Sequence, residues 1–294
     1  MALHVRRLTP WFGAEISGLA PAETLDEATC RELQQLMAER ELLVFRDMDI
    51  DRYFQNYLCE VLRVEGQPDP EVVAENAERQ GRFYISNKRE GAAAPFGELK
   101  FHSDATYSTG PYQILSLWGE DVEAPVAPTR FVSVTRAWDT LPDTLRAQIE
   151  GLQVEQTNQV QDRGEEGERL LAAIREERTI VTPIGQVNPR SGRTMLYVCS
   201  MVTKRILDME PEESERLLLE LFAHTESSGS VWEHEWRNDD LVLWDNLAVQ
   251  HARPDVEVDG PVRTLRKAAS PAVPEGLVAQ QSYGTMAQDR TAAS

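Results

Sequence analysis

The tripeptide His102-Ser103-Asp104 puts an imidazole and a carboxylate two residues apart, in a chain with only five histidines, His4, His102, His224, His234 and His251. In an extended segment, side chains at i and i+2 project from the same face. Both can then reach one metal ion without bending the backbone, and a third ligand has to come from elsewhere in the chain. Two histidines and one carboxylate on one face of an octahedron leave three positions open. Fe(II) held this way has room for a bidentate 2-oxo acid and O2, and hydrogen bonds behind the ligands orient the rings. The tripeptide alone is common by chance, so its meaning depends on the elements around it.

Thr24-Leu25-Asp26-Glu27 reads as a capping box, and Leu25, Ala28, Leu33, Leu36 and Met37 follow near helical spacing. A helix is expected over about 25–40. Leu42–Phe45 is a short apolar run bounded by charges, a buried strand. Tyr53, Phe54, Tyr57, Leu58, Val61 and Leu62 give a second helix, and the polar stretch 65–80, with Gly66, Pro68 and Pro70, reads as a loop or lid. Gly91–Gly97 reads as another flexible stretch. Strand-like runs then follow at Gln113–Trp118, Arg130–Thr135, Thr179–Thr182, Thr194–Val198, Val231–Trp236 and Leu241–Trp244. Helices are expected near 142–150, 166–177 and 211–223, with Pro142 and Pro211 at first-turn positions. Many short strands with helical insertions predict a mainly β barrel or jelly roll flanked by helices. Neither an internal repeat nor a linker divides the 294 residues, so one catalytic domain is expected over 1–294. The Ala-, Pro-, Ser- and Gln-rich stretch 271–294 reads as a loose C-terminal tail.

The net charge of −19 argues against a nucleic-acid partner, which needs a basic face, and against docking on anionic lipid. Apolar runs stay short of the roughly 18 residues a membrane span needs, and Arg6 and Arg7 have no apolar segment behind them, so neither a membrane anchor nor a signal peptide is expected. Cys30, Cys59 and Cys199 are far apart and odd in number, which fits reduced thiols in a cytoplasmic protein. Glu165, Glu166 and Glu168 read as a solvated helix face.

Longer segments carry a resemblance. Leu8-Thr9-Pro10-Trp11-Phe12-Gly13-Ala14-Glu15-Ile16-Ser17-Gly18-Leu19, Leu42-Leu43-Val44-Phe45-Arg46-Asp47, Phe101-His102-Ser103-Asp104-Ala105-Thr106-Tyr107, Leu241-Val242-Leu243-Trp244-Asp245-Asn246 with Gln250-His251, and Arg263-Thr264-Leu265-Arg266-Lys267 stand in order over residues 8–270. Together they resemble the taurine and 2,4-dichlorophenoxyacetate dioxygenase family of Fe(II)/2-oxoglutarate enzymes, with Ser103 where the family usually has threonine.

The resemblance implies a double-stranded β-helix (jelly roll) with His102, Asp104 and His251 as iron ligands, and O2 and 2-oxoglutarate as cosubstrates. It leaves His4, His224 and His234 as surface or structural residues. The family holds the distal carboxylate of 2-oxoglutarate with an arginine about a dozen positions after the last histidine. Arg263 lies at 263 − 251 = 12 and Arg266 at 266 − 251 = 15, and both stay open, with the Arg-x-Leu-x-basic pattern favouring Arg263. A planar guanidinium suits that carboxylate because it forms two charge-assisted hydrogen bonds. Thr129, at 129 − 104 = 25 after the aspartate, matches a family threonine on the same carboxylate, although Val126-Ala127-Pro128 replaces the usual Gly-Gly-Asp. Phe101 and Tyr107 flank the metal motif as candidate substrate contacts or core aromatics. Lys267 stands where several relatives use arginine to grip an anionic substrate, and an ammonium is a point charge rather than a fork.

The implied reaction is hydroxylation of an unactivated C–H bond of a small molecule, with release of succinate and CO2. Desaturation, ring closure and oxidative decarboxylation use the same ligands. Halogenases of this kind lack the carboxylate, and Asp104 is present. A jelly-roll binding protein without catalysis and a zinc hydrolase are the rival classes. A homodimer or homotetramer is expected from the family. Substrate specificity is assigned to loops at 65–80 and 87–100 and to an insertion around 155–180, none with a decodable motif.

Overall fold

The computed structural model describes residues 3–21, 24–64, 68–80, 83–159, 161, 177–227 and 231–271. Along the chain run β1 (His4–Arg7), β2 (Ala14–Ser17), α1 (Glu27–Arg40), β3 (Leu42–Phe45), α2 (Arg52–Val61), α3 (Pro70–Gln80), β4 (Tyr84–Ser86), β5 (Leu99–His102), β6 (Ile114–Val122) and β7 (Thr129–Ser133). Next come α4 (Val134–Asp139), α5 (Asp143–Ile149), β8 (Gln153–Thr157), β9 (Thr179–Pro183), β10 (Gly185–Val187), β11 (Thr194–Leu196) and β12 (Thr203–Ile206). The chain continues through α6 (Pro211–Ser227), β13 (Trp232–His234), β14 (Leu241–Asp245), β15 (Val249–Arg253) and β16 (Arg263–Ser270). It is mainly β, with helices at the flanks.

Two sheets matter for the site. A seven-stranded sheet has the order β1-β2-β3-β14-β6-β16-β4, and a four-stranded sheet the order β13-β7-β15-β5. Their facing sides share one core, and the period-2 alternation of side chains explains which residues enter it. Leu42 and Val44 of β3, Leu115 and Leu117 of β6, Val242 and Trp244 of β14, and Leu265 of β16 point to the four-stranded sheet, where Phe131 and Val249 meet them. The alternate residues Leu43, Phe45, Ile114, Trp118, Leu241, Leu243 and Ala268 point the other way, onto Leu33 and Met37 of α1 and Leu58 and Val61 of α2. Strand β14 is therefore apolar on both faces, as its uninterrupted Leu-Val-Leu-Trp run requires of a central strand. A third core joins α4, α5, β8 and α6.

Several expectations change. Within 65–80, residues 70–80 form α3 rather than a loop: Asp69 accepts from the amide of Glu71 at 2.9 Å, and Pro70, which needs no amide partner, starts the helix. Helix α1 is capped by Asp26, whose carboxylate accepts from the Thr29 amide at 2.9 Å, not by Thr24. The strand expected over 130–135 stops at Ser133, whose hydroxyl accepts from the Arg136 amide and starts α4. The 91–97 stretch has no regular structure, but Ala92, Ala93 and Ala94 are buried within it. The helix expected near 166–177, the glutamates at 165, 166 and 168, and the tail from 272 lie outside the described residues. Among the described residues, no helix is long and apolar enough to cross a membrane. Cys59 and Cys199 are buried, Cys30 is partly so, and none of the three is in a disulfide.

Candidate active site

His102 closes β5 and pairs directly across the ladder with His251 of β15, so their rings stand 4.2 Å apart, centroid to centroid. Asp104 follows in the turn after β5. The three side chains each offer a ligand atom, and these atoms all lie within 4.8 Å of one another. The turn Asp245–Ala248 carries the chain from the large sheet to the small one and sets the register of His251. Asp245 accepts from the amides of Leu247 (3.0 Å) and Ala248 (3.3 Å), and is held by Asn188 and Arg190, each at 3.0 Å. Asn246, fully buried in the same turn, clamps Asp104: its amide accepts from the Asp104 N–H and donates to the Asp104 carbonyl, both at 2.9 Å.

The protonation states suit a cation. The Nδ1–H of His102 donates to the Lys100 carbonyl at 2.7 Å, which leaves Nε2 as the free lone pair, 3.4 Å from Asp104 Oδ1. Burial, followed by the neighbouring His102, pushes His251 well below the usual imidazole range, so it stays neutral. Burial alone would raise Asp104, but the Lys267 ammonium beside it holds the carboxyl well below its usual range. The Nδ1 of His251 is buried and has no hydrogen-bond partner among the described residues. Such an orphan is costly unless something binds there. Two imidazoles, that of His251 neutral, and an ionised carboxylate converging at one point fit a divalent metal.

A small cavity opens over these residues, lined also by Thr129, Arg263, Lys267 and Arg253. Strand alternation separates the two arginine candidates. Arg263, Leu265 and Lys267 share the inner face of β16, and Arg266 lies on the other. There Arg266 donates to Gln55 at 2.8 Å and to the Ile50 carbonyl at 3.0 Å, and its guanidinium lies over the Trp118 ring at 4.1 Å. Arg263 is buried beside the cavity, donating to the Ala127 carbonyl at 2.9 Å and to Thr129 Oγ1 at 3.1 Å. Among the described residues no carboxylate pairs with it. Burial, then the nearby Arg253, pushes its pKa down to about 9. Thr129 Oγ1 also accepts from the Trp236 indole at 2.9 Å. With both lone pairs taken, the hydroxyl proton is left to donate. Arg263 and Thr129 thus present donors from facing sheets to one point.

The other sequence candidates are dispersed. Tyr107 is packed in the core between the two sheets, and Phe101 lines a separate outer cavity near α6. His4 is exposed on β1, and His224 Nε2 lies 2.9 Å from the Ala137 carbonyl. His234 is fully buried, 3.2 Å from Asp240. Sequence reasoning missed Arg253, whose guanidinium donates to the carbonyls of Ala94 (2.7 Å), Phe96 (3.0 Å) and Gly97 (2.7 Å) and so holds the segment whose Ala94 lines the cavity. Its position two residues after His251 on a strand was the available signal.

A family model described as "Taurine catabolism dioxygenase TauD, TfdA family" matches residues 4–269. The chain is 27% identical over 259 residues to an (S)-phenoxypropionate/alpha-ketoglutarate-dioxygenase of Sphingobium herbicidovorans, covering 85% of this chain and 88% of the relative. It is 25% identical over 273 residues to a pentalenolactone F synthase of Streptomyces avermitilis, covering 82% and 85%. In fold it is similar to the crystal structure of a taurine dioxygenase from Burkholderia xenovorans, with a TM-score of 0.69, 22% identity, and 91% and 90% of the two chains covered.

Proposed function

The chain belongs to the taurine catabolism dioxygenase TauD, TfdA family, and from that membership we propose that His102, Asp104 and His251 hold iron while Arg263 and Thr129 hold the distal carboxylate of 2-oxoglutarate. The family couples Fe(II), 2-oxoglutarate and O2, and the chain is an oxidoreductase of this dioxygenase type acting on a small molecule. The observation that carries the site assignment is the convergence of three ligand atoms within 4.8 Å at the floor of a cavity, with a buried arginine on its wall that no carboxylate among the described residues pairs with.

Iron(II) bound there supplies O2 activation coupled to decarboxylation of 2-oxoglutarate, giving succinate, CO2 and an oxidised substrate. The chain's own part is placement. The Lys100 carbonyl fixes the His102 tautomer, Asn246 fixes the Asp104 backbone, and the β5–β15 ladder fixes His251 against His102. Arg263 offers a fork and Thr129 a hydroxyl proton to one carboxylate, which sets how far the keto acid end reaches toward the ligands. Apolar walls keep water from the reacting C–H bond.

Hydroxylation is the proposed outcome. The similarity to pentalenolactone F synthase supports a second reading, in which the oxidised compound is a biosynthetic intermediate and the same machinery ends in desaturation, ring closure or oxidative decarboxylation. The two facing sheets are read as a double-stranded β-helix forming a single catalytic domain, in a cytoplasmic homo-oligomer without nucleic-acid or membrane partners. The test is release of succinate from 2-oxoglutarate under air, with Fe(II) added and with chelator. Succinate formation that needs Fe(II) and is lost in His102→Ala supports the reading; iron-independent formation, or none, contradicts it.

A further inference from the structure

Three cationic side chains line the cavity, Arg253, Arg263 and Lys267, in a chain of net charge −19. Each is already engaged. Arg253 is spent on three backbone carbonyls. Arg263 faces Thr129 and the Ala127 carbonyl, where the proposed cosubstrate carboxylate sits. Lys267 Nζ donates to Asp104 Oδ2, both side chains nearly buried, while Oδ1 of the same carboxylate faces His102. The two oxygens of Asp104 are thus divided, one toward the ligand cluster and one toward Lys267. An ammonium is a point charge, and one carboxylate oxygen can occupy it where a guanidinium would keep a second edge free.

The remaining wall is apolar. Phe83, Ile85, Ala93, Ala94, Leu99 and Leu117 line the cavity. Lys267 pairs across the sheet with Leu117, its amide donates to the Phe83 carbonyl at 2.8 Å, and its ammonium lies 5.5 Å from the Phe83 ring centroid. A substrate anion entering here would find every cation engaged, and would have to break the buried Lys267–Asp104 pair to obtain one.

We propose that Lys267 is a positioning residue for Asp104 rather than a grip on the substrate, and that the substrate enters this cavity with an uncharged, apolar portion. The inference rests on the reading of Asp104 as a metal ligand. It separates this chain from relatives whose names specify phenoxypropionate or 2,4-dichlorophenoxyacetate.

Two measurements test it. Mn(II) is titrated calorimetrically into the unchanged protein, Lys267→Met and Lys267→Arg, and the Mn(II) electron paramagnetic resonance spectrum is recorded for each. Because the ammonium competes with the divalent cation for the charge on Asp104, Lys267→Met is expected to bind Mn(II) at least threefold more tightly, with an altered spectrum, and Lys267→Arg to restore both. An unchanged affinity and spectrum in a folded Lys267→Met protein overturns the positioning role. Failure of the unchanged protein to bind Mn(II) overturns the ligand reading itself, and this inference with it. The second measurement titrates 2,4-dichlorophenoxyacetate and its methyl ester into the Mn(II)- and 2-oxoglutarate-loaded protein. Tighter binding of the neutral ester, unaffected by Lys267→Met, is the expected result. Tenfold preference for the anion, lost in Lys267→Met, assigns Lys267 to the substrate and overturns the proposal.

Discussion

Replacing Arg263 with methionine removes the fork proposed for 2-oxoglutarate while keeping much of the side chain's volume. Burial lowers Arg263 from 12.5 to about 9. At about 1.4 kcal/mol per tenfold, that corresponds to about 5 kcal/mol by which the protein surroundings disfavour the guanidinium charge. A carboxylate ligand recovers a large part of this, and truncating one member of such a buried pair costs about 2–5 kcal/mol. The expected loss in 2-oxoglutarate affinity is therefore roughly 30-fold to several thousandfold. Thr129→Val, which removes one hydroxyl donor, is expected to cost about 1 kcal/mol, roughly fivefold. Arg266→Met provides the contrast. It loses bonds to Gln55 and the Ile50 carbonyl and its place over Trp118, so it is expected to lower stability by about 2–4 kcal/mol while leaving cosubstrate affinity within about threefold. The assay is calorimetric titration of 2-oxoglutarate into Mn(II)-loaded protein, with urea unfolding of each variant. Equal 2-oxoglutarate affinity in unchanged and folded Arg263→Met protein, or a larger loss in Arg266→Met, refutes the reasoning.

Other perturbations follow from the same geometry. Asn246→Ala releases both backbone bonds on Asp104, so Mn(II) affinity measured by calorimetry is expected to fall roughly 10- to 100-fold. Glu41 is buried against Ser133, Thr135 and Arg193, and burial raises its carboxyl to about 7 despite those partners. A raised carboxyl contributes its stability below about 4.5 and loses it as pH rises through 7. Urea unfolding at pH 5 and pH 8 is expected to show the unchanged protein losing up to about 3 kcal/mol relative to Glu41→Gln across that window; a pH-independent difference contradicts this. Gly119 lies against the Arg237 carbonyl, where an added Cβ would stand 2.4 Å from the oxygen. Gly119→Ala is expected to cost roughly 1–3 kcal/mol in urea unfolding, because backbone rather than a flexible side chain has to move.

The sheet core was legible because strand alternation is local. Leu42–Phe45 and Leu241–Trp244 are apolar at every position, which only a strand covered on both sides tolerates. The i and i+2 spacing of His102 and Asp104 pointed to two candidate ligand positions, although Asp104 lies in the turn after β5 and not on the strand. His251 came only by resemblance, since its approach to His102 depends on a strand pairing 149 residues away, 251 − 102, that no local pattern encodes. Parity along β16 could have separated Arg263 from Arg266 once the strand was known, yet the spacing from His251 left both open. Helix α3 was hidden by Pro68 and Pro70, read as breakers, whereas Asp69-Pro70 is a start signal when the following residues are helix formers. Arg253 and Asn246 were not assigned roles because their partners are backbone atoms of distant segments, and nothing in a side-chain pattern announces those.

The most direct test of the central claim is the visible spectrum of the protein under argon, first with Fe(II) alone and then with 2-oxoglutarate added. Coordination of the keto acid to iron held by His102, Asp104 and His251 is expected to produce a weak metal-to-ligand charge-transfer band, removed by His102→Ala and requiring more 2-oxoglutarate in Arg263→Met. A fully Fe(II)-loaded protein that develops no such band would contradict the account.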